Sequence, residues 1–210
     1  MVQAIIDSLK ERYPNPACAL HYEKDYELLI AVRLSAQCTD ARVNLITPAL
    51  FARFPSLEAF AAADVAEVEE LVHSCGFYRH KARDIVLAAQ MLLSEHGGKV
   101  PNTMEALLNI PGVGRKTANL LLGDLYHQPA VVCDTHCIRI SNRLGLAKGK
   151  DPEQVERQLR DILPPEESSD FCHRIVLFGR DICTARSPKC GECPLRPYCK
   201  EFIPKSDEKY

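Results

Sequence analysis

Four cysteines, Cys183, Cys190, Cys193 and Cys199, fall within seventeen residues near the C-terminus in the spacing C-x6-C-x2-C-x5-C. Thiolates this close in sequence can surround one metal centre, and in a reducing compartment that outweighs a disulfide knot. Structural zinc often uses two C-x2-C knuckles. Here a single C-x2-C pair is flanked by loops of six and five residues, which suits an iron–sulfur cubane. Spacing alone leaves both metals open. The centre could do redox work, or it could staple a loop too short to fold alone. The second role is the better fit, because it would hold Arg186 and Lys189 rigidly toward a phosphate.

A second constellation lies at PGVGRKTANLLL, residues 111–122. Pro111-Gly-Val-Gly114 separates a short apolar helix at 103–110 from another at 115–126, a helix–hairpin–helix. Gly112 and Gly114 allow positive φ and close backbone approach. The N–H groups that open the second helix suit an anion such as a nucleic-acid phosphate, bound without sequence readout. Arg115 and Lys116 follow at once, and the ordinary reading of such a pair is a solvated helix start. Lys116, however, faces the positive end of the helix macrodipole, where a lysine loses its proton more readily. A neutral lysine is a nucleophile able to form a Schiff base. Eighteen residues on, Asp134 ends the apolar stretch Val131-Val132-Cys133 and N-caps a helix at 135–144. A carboxylate held there can also orient an amine or stabilise an oxocarbenium-like sugar.

The elements that must position these residues read as helices. Asp64-Val-Ala-Glu67 has the form of a capping box ahead of Val65, Val68, Leu71 and Val72, with Gly76 as terminator. Residues 79–96 carry Ile85, Val86, Ala89, Leu92 and Leu93 on one face and stop at Gly97-Gly98. Asn102 with Glu105 caps the short helix before the hairpin. Asp151-Pro152 starts a helix carrying Val155, Leu159 and Ile162. The N-terminal segment and residues 26–36, 40–54 and 169–182 are also helical in pattern, with Pro48 as an interruption. The best strand is 129–133, which has no evident partner. The expected fold class is all-α, with about nine or ten helices of ordinary length and a loosely ordered tail after Phe202.

Composition, at 46% hydrophobic and 26% charged, is that of a globular chain long enough to bury a core. No apolar run reaches membrane-spanning length, and the N-terminus lacks a signal-peptide pattern, so a cytoplasmic protein without a membrane partner is expected. The six scattered cysteines, Cys18, Cys38, Cys75, Cys133, Cys137 and Cys172, read as small core hydrophobes. A net charge of −2 excludes a globally basic field. Any nucleic-acid surface must be local, at Arg79-His80-Lys81 with Arg83 or in the cysteine-rich tail. No spare hydrophobic face suggests an oligomer, so a monomer is expected.

Taken together, LSAQCTD (34–40), PGVGRKTAN (111–119), VCDTH (132–136) and the cysteine tail resemble the endonuclease III family. These are helix–hairpin–helix DNA glycosylases with a [4Fe-4S] cluster, and the resemblance runs from about residue 5 to 200. It implies a six-helix barrel at 18–128 and a cluster domain of 1–17 plus 129–210, with a DNA groove between these lobes. It implies Lys116 and Asp134 as catalytic residues, and Cys183, Cys190, Cys193 and Cys199 as cluster ligands. The implied partner is duplex DNA carrying damaged pyrimidines or abasic sites, and in a prokaryote the protein would be nucleoid-associated. The implied reaction removes an oxidised pyrimidine through a lysine Schiff base and cuts 3′ to the abasic site by β-elimination. Gln37 matches the residue that fills the gap left by a flipped nucleotide. Phe77 stands where the family commonly has a leucine wedge. Gly112, Gly114, Arg115, Arg186 and Lys189 would contact DNA, and Asp40 and His136 would line the active-site region. Two alternatives remain: a monofunctional adenine glycosylase of the same superfamily, which lacks the lysine, and a non-catalytic DNA-binding module.

Overall fold

The computed structural model describes residues 1–202; the tail 203–210, expected to be loosely ordered, lies outside the described residues. Among the described residues every regular element is helical. The α-helices are α1 (Val2–Arg12), α2 (Asp25–Ser35), α3 (Asp40–Arg53), α4 (Leu57–Ala61), α5 (Val65–Val72) and α6 (Tyr78–Glu95). They continue with α7 (Met104–Asn109), α8 (Arg115–Tyr126), α9 (Thr135–Leu144), α10 (Pro152–Ile162) and α11 (Ser168–Asp181). The all-α expectation holds. None of these helices is long and apolar enough to cross a membrane. The chain divides into two compact units, one of Cys18–His127 and one of Met1–Ala17 with the described residues from Gln128 onward.

In the Cys18–His127 unit, α2 is the central helix. Leu28, Leu29, Ile30, Ala31, Val32 and Leu34 are all buried, as expected of a helix apolar on most sides. It packs against α3, α6 and α8, while α6 also covers α4 and α5. Pro48 lies inside α3 without ending it. Two expected caps are corrected. Asp64 accepts from the Ala66 N–H at 2.9 Å, but Glu67 pairs with Arg53 instead of closing a capping box. The cap of α7 is Thr103, which accepts from the Ala106 N–H at 3.3 Å, and not Asn102.

The other unit is built on α1, α9, α10 and α11, with α11 packed against both α1 and α9. The expected strand at 129–133 is an extended, buried segment without a ladder. Val132 donates its N–H to Sγ of Cys172 at 3.2 Å, so a side chain replaces the missing strand partner. Asp151 caps α10 by accepting from the Gln154 N–H at 2.8 Å, with Pro152 in the first turn. Val155 and Leu159 are buried, whereas Ile162, assigned to the same face, is exposed at the helix end. Of the scattered cysteines, Cys75, Cys133, Cys137 and Cys172 are buried, and Cys18 and Cys38 are half-buried.

Candidate active-site and nucleic-acid-binding residues

The hairpin between α7 and α8 uses its two glycines differently. Gly112 has φ +78, and a Cβ there would stand 2.5 Å from Nε of Arg33 and 2.8 Å from Oδ2 of Asp84. Arg33 and Asp84 form an ion pair beneath the turn, with Nε to Oδ2 at 2.8 Å and Nη2 to Oδ2 at 2.6 Å. The turn can pass over that pair only on a residue without a side chain. Gly114 has φ −101, so it does not need the positive φ expected of it, and a Cβ there would meet nothing within 4 Å. Its open side is where an outside group can come close to the backbone. Gly114 is the N-cap of α8 and supplies no side-chain acceptor, so the first N–H groups of the helix are not capped by it. Lys116, second in α8, is exposed beside them, as is Arg115. The buried face of α8, from Ala118 through Leu121 and Leu122, fixes the orientation of this end.

In the same unit, Gln37 and Phe77 line one cleft of about 250 Å³ together with Arg33, Ala36, His80 and Lys81. Both have left-handed backbones, with φ +55 at Gln37 and +48 at Phe77. Non-glycine residues rarely adopt this conformation, and it clusters at functional sites. Phe77 is 65% exposed, an aromatic ring held in solvent at the start of α6. Asp40, half-buried, is the first residue of α3, whose N-cap is Thr39.

The basic run at the start of α6 is corrected in one respect. Arg79, His80 and Arg83 are exposed, but Lys81 is only 1% exposed and so is no part of a surface patch. Its Nζ donates to the carbonyls of Leu34 at 2.8 Å and Cys75 at 2.6 Å. One signal in the sequence marks it: Lys81 shares the helical stripe of Ile85, Ala88 and Leu92, where a solvated lysine does not belong.

In the other unit, Asp134 caps α9, with Oδ1 accepting from the Cys137 N–H at 2.7 Å. The carboxylate is half-buried and anchored from behind by the buried Ala130–Cys133 segment. His136 faces α11: its Nδ1 lies 2.3 Å from where a Cβ on Gly179 would stand, and 3.2 Å from Nη2 of Arg139. Helix packing therefore accounts for the position of its ring.

Cys183, Cys190, Cys193 and Cys199 line a common cavity of about 90 Å³ with Arg143, Ile182 and Leu195's neighbour Arg196 around it. Four thiols around a hollow fit a multi-atom cluster better than one ion, and thiolates are the donor set such a cluster takes. Arg143 supports the loop from α9, donating Nη1 to Sγ of Cys183 at 3.3 Å and to the Thr184 carbonyl at 3.1 Å. Hydrogen bonds to a ligand sulfur of this kind tune and orient a metal centre. Arg186 is exposed on the loop. Lys189 is exposed too, but its Nζ lies 3.7 Å from Oδ1 of Asp181, a carboxylate shared with Arg12.

Comparison with known proteins bears on both units. Residues 30–165 match the model of the HhH-GPD superfamily of base excision DNA repair proteins. Residues 183–199, from the first tail cysteine to the last, match the iron–sulfur binding domain of endonuclease III. An endonuclease III from a Synechocystis species is 48% identical over 192 residues, covering 91% of this chain and 88% of its own. A non-covalent endonuclease III–DNA complex is similar at 41% identity and TM-score 0.90, over 95% of this chain and 94% of that one. A trapped endonuclease III–DNA covalent intermediate matches with the same identity, TM-score and coverage.

Proposed function

Because the chain belongs to the endonuclease III family within the HhH-GPD superfamily, we propose that Lys116 and Asp134 carry its chemistry. The enzyme is a bifunctional DNA glycosylase and abasic-site lyase of base excision repair that carries a [4Fe-4S] cluster. The observation that carries the residue assignment is the exposed Lys116 amine at a helix start whose N-cap offers no side chain. On this reading the lesion is an oxidised or ring-damaged pyrimidine in duplex DNA, flipped out of the stack. The unit Cys18–His127 is then the helix–hairpin–helix domain, and the other unit is the cluster domain.

The backbone N–H groups at Gly114 and Arg115 bind a phosphate and set the register of the strand. Gln37 fills the space that the flipped nucleotide leaves, and Phe77 wedges between the bases. The Lys116 amine attacks C1′ of the damaged nucleotide; the bond from C1′ to the base breaks and the base leaves with its electron pair. The amine then loses a proton and the sugar ring opens to a Schiff base between Nζ and C1′. Loss of a C2′ proton expels the 3′ phosphate, which cuts the strand. Asp134 takes the proton that Lys116 must lose and balances the positive charge that develops on the sugar. Cys183, Cys190, Cys193 and Cys199 would hold the cluster, whose ligation would tie residues 183–199 into one shape. Arg186 and Lys189 then present their charges to the DNA backbone from that loop.

Borohydride present during incubation with a lesion-containing duplex is expected to trap a covalent protein–DNA adduct, and Lys116→Ala to abolish it. A parent protein that leaves no adduct and no strand break on oxidised-pyrimidine or abasic duplexes would exclude the lysine mechanism. The purified protein is expected to be brown and to contain iron; colourless protein with stoichiometric zinc would reject the cluster assignment.

A further inference from the structure

Lys81 is a buried cation that the repair chemistry does not use. It sits in the first turn of α6 with 1% of its surface exposed. Burying an ammonium costs several kcal/mol before its hydrogen bonds are counted, so its placement calls for a return elsewhere in the fold. Its two acceptors show where that return lies.

The Leu34 carbonyl belongs to the last turn of α2, and the Cys75 carbonyl ends the short 3-10 turn His73–Cys75. Carbonyls at helix ends have no acceptor role left within the helix and carry the negative end of the peptide dipoles. The Lys81 ammonium meets both, at 2.8 and 2.6 Å. From the first carbonyl the chain runs three residues to Gln37, and from the second it runs two residues to Phe77. These two have positive φ, at +55 and +48. A left-handed backbone is disfavoured at a residue with a Cβ, and it persists only where the surroundings over-determine it. One ammonium clamping the chain just ahead of both positions supplies that constraint, and Lys81 lines the same cleft as Gln37 and Phe77.

We propose that Lys81 is a positioning residue: its ammonium ties the end of α2 to the 3-10 turn before α6 and so holds Gln37 and Phe77 in their strained backbones as a pair. The consequence for repair rests on the reading of those two side chains as DNA-contacting; the anchoring itself does not.

Two measurements on the iron–sulfur-loaded protein test this. The first is amide hydrogen exchange of Lys81→Met, which keeps the stem and removes the charge. Loss of a charged hydrogen bond predicts roughly tenfold or greater loss of protection in both segments, 34–38 and 75–78, with the α9–α11 helices unchanged. Unchanged protection in either segment overturns the proposal. Lys81→Gln, which keeps a donor on a shorter stem, is expected to be intermediate and serves if Lys81→Met does not fold. The second is a cycle of single-turnover excision from an oxidised-pyrimidine duplex. Lys81→Met is expected to slow excision roughly tenfold in the parent and to have little further effect when Gln37→Ala and Phe77→Ala are already present. An equal loss in both backgrounds means that Lys81 acts through general stability and overturns the positioning role. If Gln37→Ala with Phe77→Ala excises as fast as the parent, the DNA-contact reading of those residues falls, and the exchange data alone decide the anchor.

Discussion

Nε of Arg33 lies 2.5 Å from where a side-chain carbon on Gly112 would stand. The Arg33–Asp84 pair, joining α2 to α6, thereby fills the floor beneath the hairpin turn and makes glycine obligatory at one of its two glycine positions. Gly114, two residues later, faces open space. The first glycine serves the protein's own packing, and the second leaves its side of the backbone open.

This division predicts opposite phenotypes for two similar substitutions. Gly112→Ala must carry a methyl at φ +78 against Arg33, which costs about 1–2 kcal/mol for the backbone alone and more for the contact. A melting temperature several degrees lower is the expected reading, since ~1 kcal/mol moves Tm by about 2–4 °C in a chain of this size. Gly114→Ala should cost less than about 1 kcal/mol, the difference between glycine and alanine at an N-cap. It should nevertheless weaken duplex binding in a fluorescence anisotropy titration, because its methyl would stand where the proposed phosphate approaches. Undiminished DNA affinity in Gly114→Ala would remove the hairpin from the interface.

Asp134 caps α9, and one pair of variants separates that cap from the catalytic role proposed for it. Asparagine retains the oxygen that accepts from the Cys137 N–H, so Asp134→Asn should melt within about 0.5 kcal/mol of the parent. Without the negative charge its single-turnover excision should fall by roughly a hundredfold or more, the scale of a lost acid–base group. Asp134→Ala should show the same kinetic loss and a further ~1 kcal/mol of instability from the missing cap. Excision by Asp134→Asn at the parent rate would leave Asp134 a cap and nothing more.

Burial pushes the Cys75 thiol from its ordinary value of 9.0 up to about 11, with the Cys38 thiol adding to the shift and Lys81 and Arg42 opposing it. A group whose folded pKa lies above its unfolded value contributes stability that is whole below the unfolded pKa. That contribution is lost as the pH rises through the folded value, so the window here runs from about 9 to 11. Urea midpoints across this range should fall more steeply for the parent than for Cys75→Ala. Parallel curves would mean that the thiol titrates as it does in the unfolded chain.

Most of what could be read from sequence depended on local chemistry. Asp134, Asp151 and the glycines around the hairpin announce their elements because a cap or a turn is decided within four residues. The errors arise where tertiary contacts compete. Glu67 leaves its capping box for Arg53 across the fold. The segment 129–133 has strand composition but pairs through Cys172, forty residues away, and not through a ladder. Ile162 follows the helical stripe of α10 yet ends exposed, because the helix stops there. Lys81 was visible only as a charge on an apolar stripe, and its acceptors, the carbonyls of Leu34 and Cys75, leave no sequence signal. The left-handed backbones at Gln37 and Phe77 are silent for the same reason: nothing in either side chain asks for them.

Phe77 is 65% exposed with φ +48, so its ring contributes little packing while its Cβ strains the chain. Phe77→Gly removes that strain, worth about 1–2 kcal/mol, and the extra freedom of glycine in the unfolded chain offsets about 0.4–1 kcal/mol of it. A protein at least as stable as the parent is expected, even though an aromatic residue has been deleted. Binding to abasic duplex should weaken roughly tenfold, the value of one base–aromatic stack. Phe77→Leu keeps the strain and an apolar wedge, so it should retain the parent's stability and most of its affinity. A less stable Phe77→Gly would show that the ring supports the fold. A Phe77→Gly that binds as tightly as the parent would show that the ring does not enter the DNA, and the strain at this position would then need another purpose.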